Sequence, residues 1–344
     1  MVNLGQIRGM LLEEAVLHLL GRSGYRTVNT SDDDPTLSKV GAGLAVRGRG
    51  GVHQIDALAD FVVHHPFSNP QRLMVEAKCF DSNKRVGIDV IRNAIGVLKD
   101  TSEFWISGPN SSVARSRYHY QYAVFSASEF TTEAQRYAFA HDVYLLPLAR
   151  SRFFRPILDA IRQVSPPAGA PKRAPNAVKP GQFAEARSQV RKVLAGKVAD
   201  PDQLRWFTEN SLAATPFVEA CKQLDFALVA VLGGRFPVLL SPSDTVKRRK
   251  LGEQTMVRIF WNDRGWYLMD HENELLFSFD IPEDLFRLYA DGGFIAPGPA
   301  LDLKQQIMST FQAVEVVDGL PRLLSFELDS DWIKEIRSQL NRNE

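Results

Sequence analysis

The chain has 344 residues, 44% of them hydrophobic and 24% charged, with a net charge of +1, as expected of a folded globular protein. Its longest apolar run, residues 226–232, is strand-sized, which excludes a membrane span; the start of the chain runs from a polar turn straight into an amphipathic segment and does not read as a signal peptide. Two cysteines far apart, Cys79 and Cys221, exclude a disulfide framework and a zinc site and point to a reducing cytoplasm.

In chain order, residues 9–20 place Leu12, Val16, Leu19 and Leu20 on one helical face, and glycines at 21 and 24 end the helix. Residues 25–28 start a strand, and Asp32 to Pro35 form a loop. Residues 44–47 and 53–61 are extended and joined by the glycine-rich turn at 48–51. Residues 73–80 form a central strand with Leu73, Val75, Ala77 and Cys79 on one face. A helix at 88–98, a strand at 122–126, a helix at 131–140 and a strand at 143–146 follow. Strands interleaved with helices imply an α/β sheet with helices packed against it.

The clearest boundary is the Pro/Ala-rich, basic stretch at 161–182, too dense in proline for regular structure. It divides the chain into an N-terminal domain of residues 1–160 and a C-terminal domain of residues 183–344. The second half predicts helices at 183–198 and 204–224, then strands at 226–232, 237–240, 256–261, 266–270 and 274–279, and a helix at 282–290. That pattern is an α+β domain with an antiparallel sheet. Charge is uneven: Lys and Arg exceed Asp and Glu by 10 to 3 in residues 151–200, and fall short by 15 to 22 in residues 201–344. The basic middle can meet a phosphate backbone, whereas the acidic half repels one. The cluster Lys247-Arg248-Arg249-Lys250 interrupts that acidity.

The residues that carry chemistry converge on the central strand. Glu76 and Lys78 share its second face, and an acid beside a lysine on an apolar strand is costly to bury without a reason. One reason is a divalent cation site for phosphodiester cleavage, the carboxylate holding the cation and the ammonium steadying water or phosphate. Asp56 precedes Glu76 by 20 residues, a gap that suits two antiparallel strands and lets the two carboxylates face each other across the ladder. Carboxylates that close repel unless a hard cation such as Mg2+ lies between them. Asp60 lies on the same face and is the rival to Asp56. Glu13 and Glu14, beside the stripe of the first helix, are both able to reach the sheet end. His53, beside a turn, is given no general-base role. The glycines at 41, 43, 48, 50 and 51 match neither a phosphate-cradling nor a dinucleotide-binding pattern.

The ordered set is more specific than any one motif: Glu13 on a helix, Gly24-Tyr25, Gly50 to Asp56, Val75-Glu76-Ala77-Lys78, the helix from Gly87, and then Val124 to Ala138 with Phe130-Thr131-Thr132 opening a helix. Over about residues 1–150 this resembles the Mrr-like branch of the restriction-endonuclease-like PD-(D/E)xK nucleases. The resemblance implies an α/β restriction-endonuclease-like fold and Mg2+-dependent hydrolysis of DNA, with Mn2+ as substitute, in restriction or phage defence. It implies Asp56 and Glu76 as metal ligands, Lys78 as the catalytic lysine and Glu13 as the helix acid. Many members carry Gln where this chain has Glu76. Thr131 is the expected N-cap, with Ala134 and Ala138 facing inward. The other expected partner is a protein or a second copy meeting the C-terminal domain, with no membrane. The competing readings are a non-cleaving subunit of a defence complex that binds nucleic acid or assembles it, and an RNA-directed nuclease.

Overall fold

A computed structural model describes residues 4–31, 34–40, 43–64, 66–81, 83–104, 118–164, 180–196, 204–210, 212–244, 246, 251–262, 265–281 and 297–343. The expected helix at 282–290, most of the proline-rich stretch and the basic cluster at 247–250 lie outside the described residues. Among the described residues no helix is long and apolar enough to cross a membrane.

The first half begins with α1 (Leu4–Arg22) and β1 (Tyr25–Thr27). Next come β2 (Leu37–Val40), β3 (Gly43–Arg47), β4 (Val52–Gln54), β5 (Ala57–Phe61) and β6 (Gln71–Lys78). Then follow α2 (Ile88–Ser102), β7 (His119–Ser126), α3 (Thr132–Ala140), β8 (Val143–Pro147) and α4 (Arg155–Gln163). Five strands form one mixed sheet in the order β1-β5-β6-β7-β8, while β2, β3 and β4 make a small antiparallel sheet. The β5–β6 pair is antiparallel, but β6–β7 and β7–β8 are parallel, and α2 and α3 supply the crossovers that parallel neighbours require. Thr131 caps α3 by accepting from the Ala134 amide, and Ala134 and Ala138 are buried as expected.

The run expected as one extended stretch at 53–61 is two strands with a break at Ile55-Asp56. The first belongs to the small sheet and the second to the main one, so the chain must turn between them.

Each face of the main sheet has its own core. Leu58, Met74, Tyr122 and Val124 pack under α2 and α3. Ala59, Leu73, Val75 and Ala77 pack under α1 and α4. That second core does not stop at the proline-rich stretch. Ala186 and Val190 of α5 (Pro180–Leu194), Trp206 and Phe207 of α6 (Arg205–Glu209), and Phe217 and Cys221 of α7 (Thr215–Cys221) all join it. The helices past residue 180 therefore pack with the first half, and the apolar core continues across the division read from the sequence. Proline density marks where regular structure stops; the apolar faces decide which side a helix joins.

The antiparallel sheet expected in the second half is a closed barrel, in the order β10-β13-β12-β11-β15-β14-β9. Its strands are β9 (Leu228–Leu232), β10 (Phe236–Pro242), β11 (Gln254–Asn262), β12 (Gly265–Met269), β13 (Leu275–Phe279), β14 (Thr310–Val317) and β15 (Leu320–Leu328). All neighbours are antiparallel except β11 and β15. Closure depends on the β14–β15 hairpin, which pairs with β9 on one side and β11 on the other. Asp318 and Gly319, with φ of 51° and 79°, make its two-residue turn; Asp-Gly suits a turn that needs positive φ twice. The helix α8 (Pro297–Met308) precedes the hairpin and α9 (Ser330–Asn343) ends the chain. The barrel touches the first half where Phe236 stacks on Phe139 of α3, with ring centroids 5.8 Å apart.

Candidate active site

Strand alternation places Met74, Glu76 and Lys78 on the side of the sheet facing α2. The Lys78 ammonium donates to Glu76 Oε1. Tyr122 of β7, level with Met74, donates its hydroxyl to Glu76 Oε2 at 3.0 Å. Burial, and then the charge of Glu76, push the Tyr122 phenol far up, so it serves as a donor to the carboxylate and does not ionise.

Asp56 stands at the break before β5. Ala57 pairs with Val75, so continuing the register by one residue puts Asp56 level with Glu76. Its Oδ2 accepts from the Ala77 amide at 2.9 Å. Burial and the Glu76 charge raise the Asp56 carboxyl, against the opposing pull of that amide, Lys78 and Arg187. Glu13 reaches the same place from α1. Burial pushes its carboxyl up to about 7, although Arg187 lowers it; the charge of Asp56 adds to the rise. Asp56 is thus coupled to Glu76 and Lys78 of β6, and Glu13 of α1 is coupled to Asp56.

The two rivals have other partners. Asp60 lies directly across the ladder from Arg72, which grips it at 2.6 and 3.0 Å. Arg72 is 1% exposed; it also donates to Asp34 at 2.8 Å and Thr36 at 3.0 Å, and stacks on the Tyr118 ring at 3.5 Å. This is a buried ion cluster fastening the β5–β6 ladder to the turn at Asp34 and Thr36. Glu14, 2% exposed, accepts from Arg191 at 2.6 Å and lies 3.3 Å from Arg187. It anchors α5 to α1. His53 bonds Asp100 at 2.7 Å, and Asp100 also takes the Gly50 amide at 2.7 Å, tying the glycine-rich turn to α2.

Two residues of this neighbourhood are not evident from sequence. Arg187 donates to Glu13 from a helix that lies 174 residues further on. The only local trace of it is the pair of arginines at 187 and 191, one helical turn apart beside the apolar Ala186 and Val190. Tyr122 becomes relevant only because β6 and β7 are parallel and in that register.

Among the described residues, no three His, Cys, Asp or Glu side chains gather closely enough to hold a metal ion. The chemistry of the donors nonetheless fits a hard divalent cation. Asp56 and Glu76 are oxygen donors that repel each other in a buried setting, and a cation between them relieves that repulsion. The two cysteines are both free.

No family model matches the chain, and no curated protein matches it. A solved structure, the crystal structure of the protein of unknown function AF1548, is 16% identical; the match covers 62% of this chain and 95% of that one, with a TM-score of 0.34. That score is too low to define a shared fold.

Proposed function

We propose that this protein is a metal-dependent endonuclease of the Mrr-like, PD-(D/E)xK type, cutting DNA in restriction or phage defence. One observation carries the reading: Asp56 is level with Glu76, and Lys78 adjoins Glu76 on the same face. An acid pair with a lysine at a break between strands is what hydrolysis of a phosphodiester requires.

In this reading Asp56 and Glu76 hold Mg2+, or Mn2+ in its place, and the bound cation supplies Lewis-acid polarisation of the phosphate. The chain's own residues do the rest. Lys78 orients the attacking water and offsets the charge that develops on phosphorus oxygens as the new P–O bond forms and the old one breaks. Tyr122 holds the Glu76 carboxylate in place from the neighbouring strand. The Ala77 amide fixes Asp56. Glu13, pushed up to about 7 by burial, stands beside Asp56 poised to hold or release a proton near neutral pH. Arg187 ties α5 against this group, so the helix beyond the proline-rich stretch belongs to the site's frame. The barrel then serves to recognise a partner or control the cut, because its acidic composition disfavours a phosphate backbone.

The test is cleavage of supercoiled plasmid with Mg2+, with Mn2+ and with excess chelator. Wild type should nick the plasmid only with a cation, and Lys78→Ala should lower the rate by about 100-fold or more while leaving the circular-dichroism melt unchanged. Cleavage that survives chelator, or that Lys78→Ala leaves intact, sinks the mechanism.

A further inference from the structure

A cavity of about 260 Å3 opens at the carboxyl ends of the parallel strands β6 and β7. Open α/β sheets bind ligands at that end, outside their parallel strands. Cys79, Phe80 and Asp81, which follow β6, line it together with Arg8 of α1, Lys84 and Arg162 of α4. Three cations therefore face one carboxylate. None of Asp56, Glu76 and Lys78 lines the cavity, although Phe80 of its wall packs with the core under α2. Cys79 packs with the core under α1 and α4, whereas Glu76 and Lys78 share the face of Met74, under α2.

The cations are poorly neutralised. Among the described residues Arg8 donates only to main-chain carbonyls, those of Arg162 at 2.7 Å and Val164 at 3.3 Å, and its buried Nε has no hydrogen-bond partner there. Lys84 holds its ammonium 4.4 Å from the centre of the Phe80 ring, and among the described residues no carboxylate pairs with it. Arg162 has one acid, Asp159 at 3.2 Å, in an exposed pair, and gives its other arm to the Ala127 carbonyl. A half-buried guanidinium bonded to neutral carbonyls keeps its full charge and attracts an anion into the adjoining space. Burial raises the Cys79 thiol, and the charges of Arg162 and Arg8 oppose that rise, so the positive field reaches the cavity wall.

We propose that this cavity is an oxyanion site that takes a phosphate group. The group belongs either to a small phosphate ester or to the 5′ end of a nucleic-acid strand; only the second case rests on the nuclease reading.

Cys79 gives a direct readout, because it is half-buried beside the cavity while Cys221 is fully buried. Alkylation of the full chain by iodoacetamide, without divalent cation, is followed with inorganic phosphate, thymidine 5′-monophosphate, and an oligothymidylate bearing a 5′-phosphate or a 5′-hydroxyl. Calorimetry measures phosphate binding in parallel. Inorganic phosphate should slow labelling of Cys79 and leave Cys221 silent. Arg8→Gln should weaken phosphate binding about tenfold. Lys84→Ala, at an exposed position, gives up the contact with the Phe80 ring but no buried side chain, and should weaken it about 2- to 5-fold even if Arg8→Gln does not fold. Stronger protection by the monophosphate than by either strand supports a small ester. Protection by the 5′-phosphate strand but not by its 5′-hydroxyl twin supports a strand end. The proposal is overturned if about 10 mM phosphate gives neither heat nor protection, or if Lys84→Ala binds phosphate as wild type does. Because no cleavage is measured, failure here leaves the nuclease reading untouched, and the plasmid test leaves this one untouched.

Discussion

Glu13→Gln offers a sharp test of how the candidate site is wired. Burial raises the Glu13 carboxyl from 4.5 to about 7, with Arg187 opposing and Asp56 adding. In the unfolded chain the same group returns to the ordinary 4.5. The folded state therefore holds this proton more tightly. Its contribution to stability is fully present below about pH 4.5 and is lost as pH rises through about 7. The difference between the two values corresponds to about 3 kcal/mol. A glutamine has the shape of the protonated acid and can still accept from Arg187, so the variant should lack this loss. Urea unfolding at pH 5 and pH 8 measures it. Wild type should lose up to about 3 kcal/mol more than Glu13→Gln over that interval. The raised Asp56 carboxyl acts with the same sign in both proteins, and its coupling to Glu13 forms part of the difference measured. Carboxyls held low, such as Asp34 and Asp225, act at more acidic pH and leave the window clear. Parallel curves for the two proteins between pH 5 and pH 8 would refute the placement of Glu13 in a desolvated site.

Asp60→Asn and Asp56→Asn should separate stability from activity: the first removes the carboxylate that Arg72 grips with two bonds, leaves it only Asp34, and costs up to about 3 kcal/mol while cleavage per folded molecule persists. The second should abolish cleavage with little change in melting, because asparagine keeps an oxygen for the Ala77 amide and removes a charge that burial disfavours. Arg191→Ala leaves the Glu14 side chain, 1% exposed, without its closest partner and should destabilise by about 3 kcal/mol in urea; a loss below about 1 kcal/mol would mean that Arg187 and apolar packing hold α5 without it. Gly24→Ala places a Cβ 2.3 Å from Val314 Cγ1 at a residue with φ of +82°. It should cost about 1–3 kcal/mol, and adding Val314→Ala should recover only the steric part, since the backbone strain stays.

Much of the first half could be read directly from residue order. The alternation in residues 73–80 separates Glu76 and Lys78 from the apolar face, and the structure keeps that separation. Thr131 before Ala134 and Ala138 marks a helix start, and the cap forms. These are local matters: a period of two or of 3.6 and a side chain reaching three residues along need no tertiary information. The hairpin at Asp318-Gly319 carried an equally local signal that the sequence reading passed over.

Other features depend on what residues far apart in sequence do to one another. Asp56 and Asp60 have the same parity and the same composition around them, so periodicity could not choose between them. The register decides, setting Asp60 opposite Arg72 and Asp56 level with Glu76. Glu13 and Glu14 are likewise adjacent in sequence, and only the approach of α5 gives Glu14 two arginines and leaves Glu13 beside Asp56. The same holds for the second half, where seven strands close into a barrel because β14 and β15 insert between β9 and β11. A strand's edge is satisfied by whichever partner the rest of the fold brings to it, and no residue within the strand records that choice.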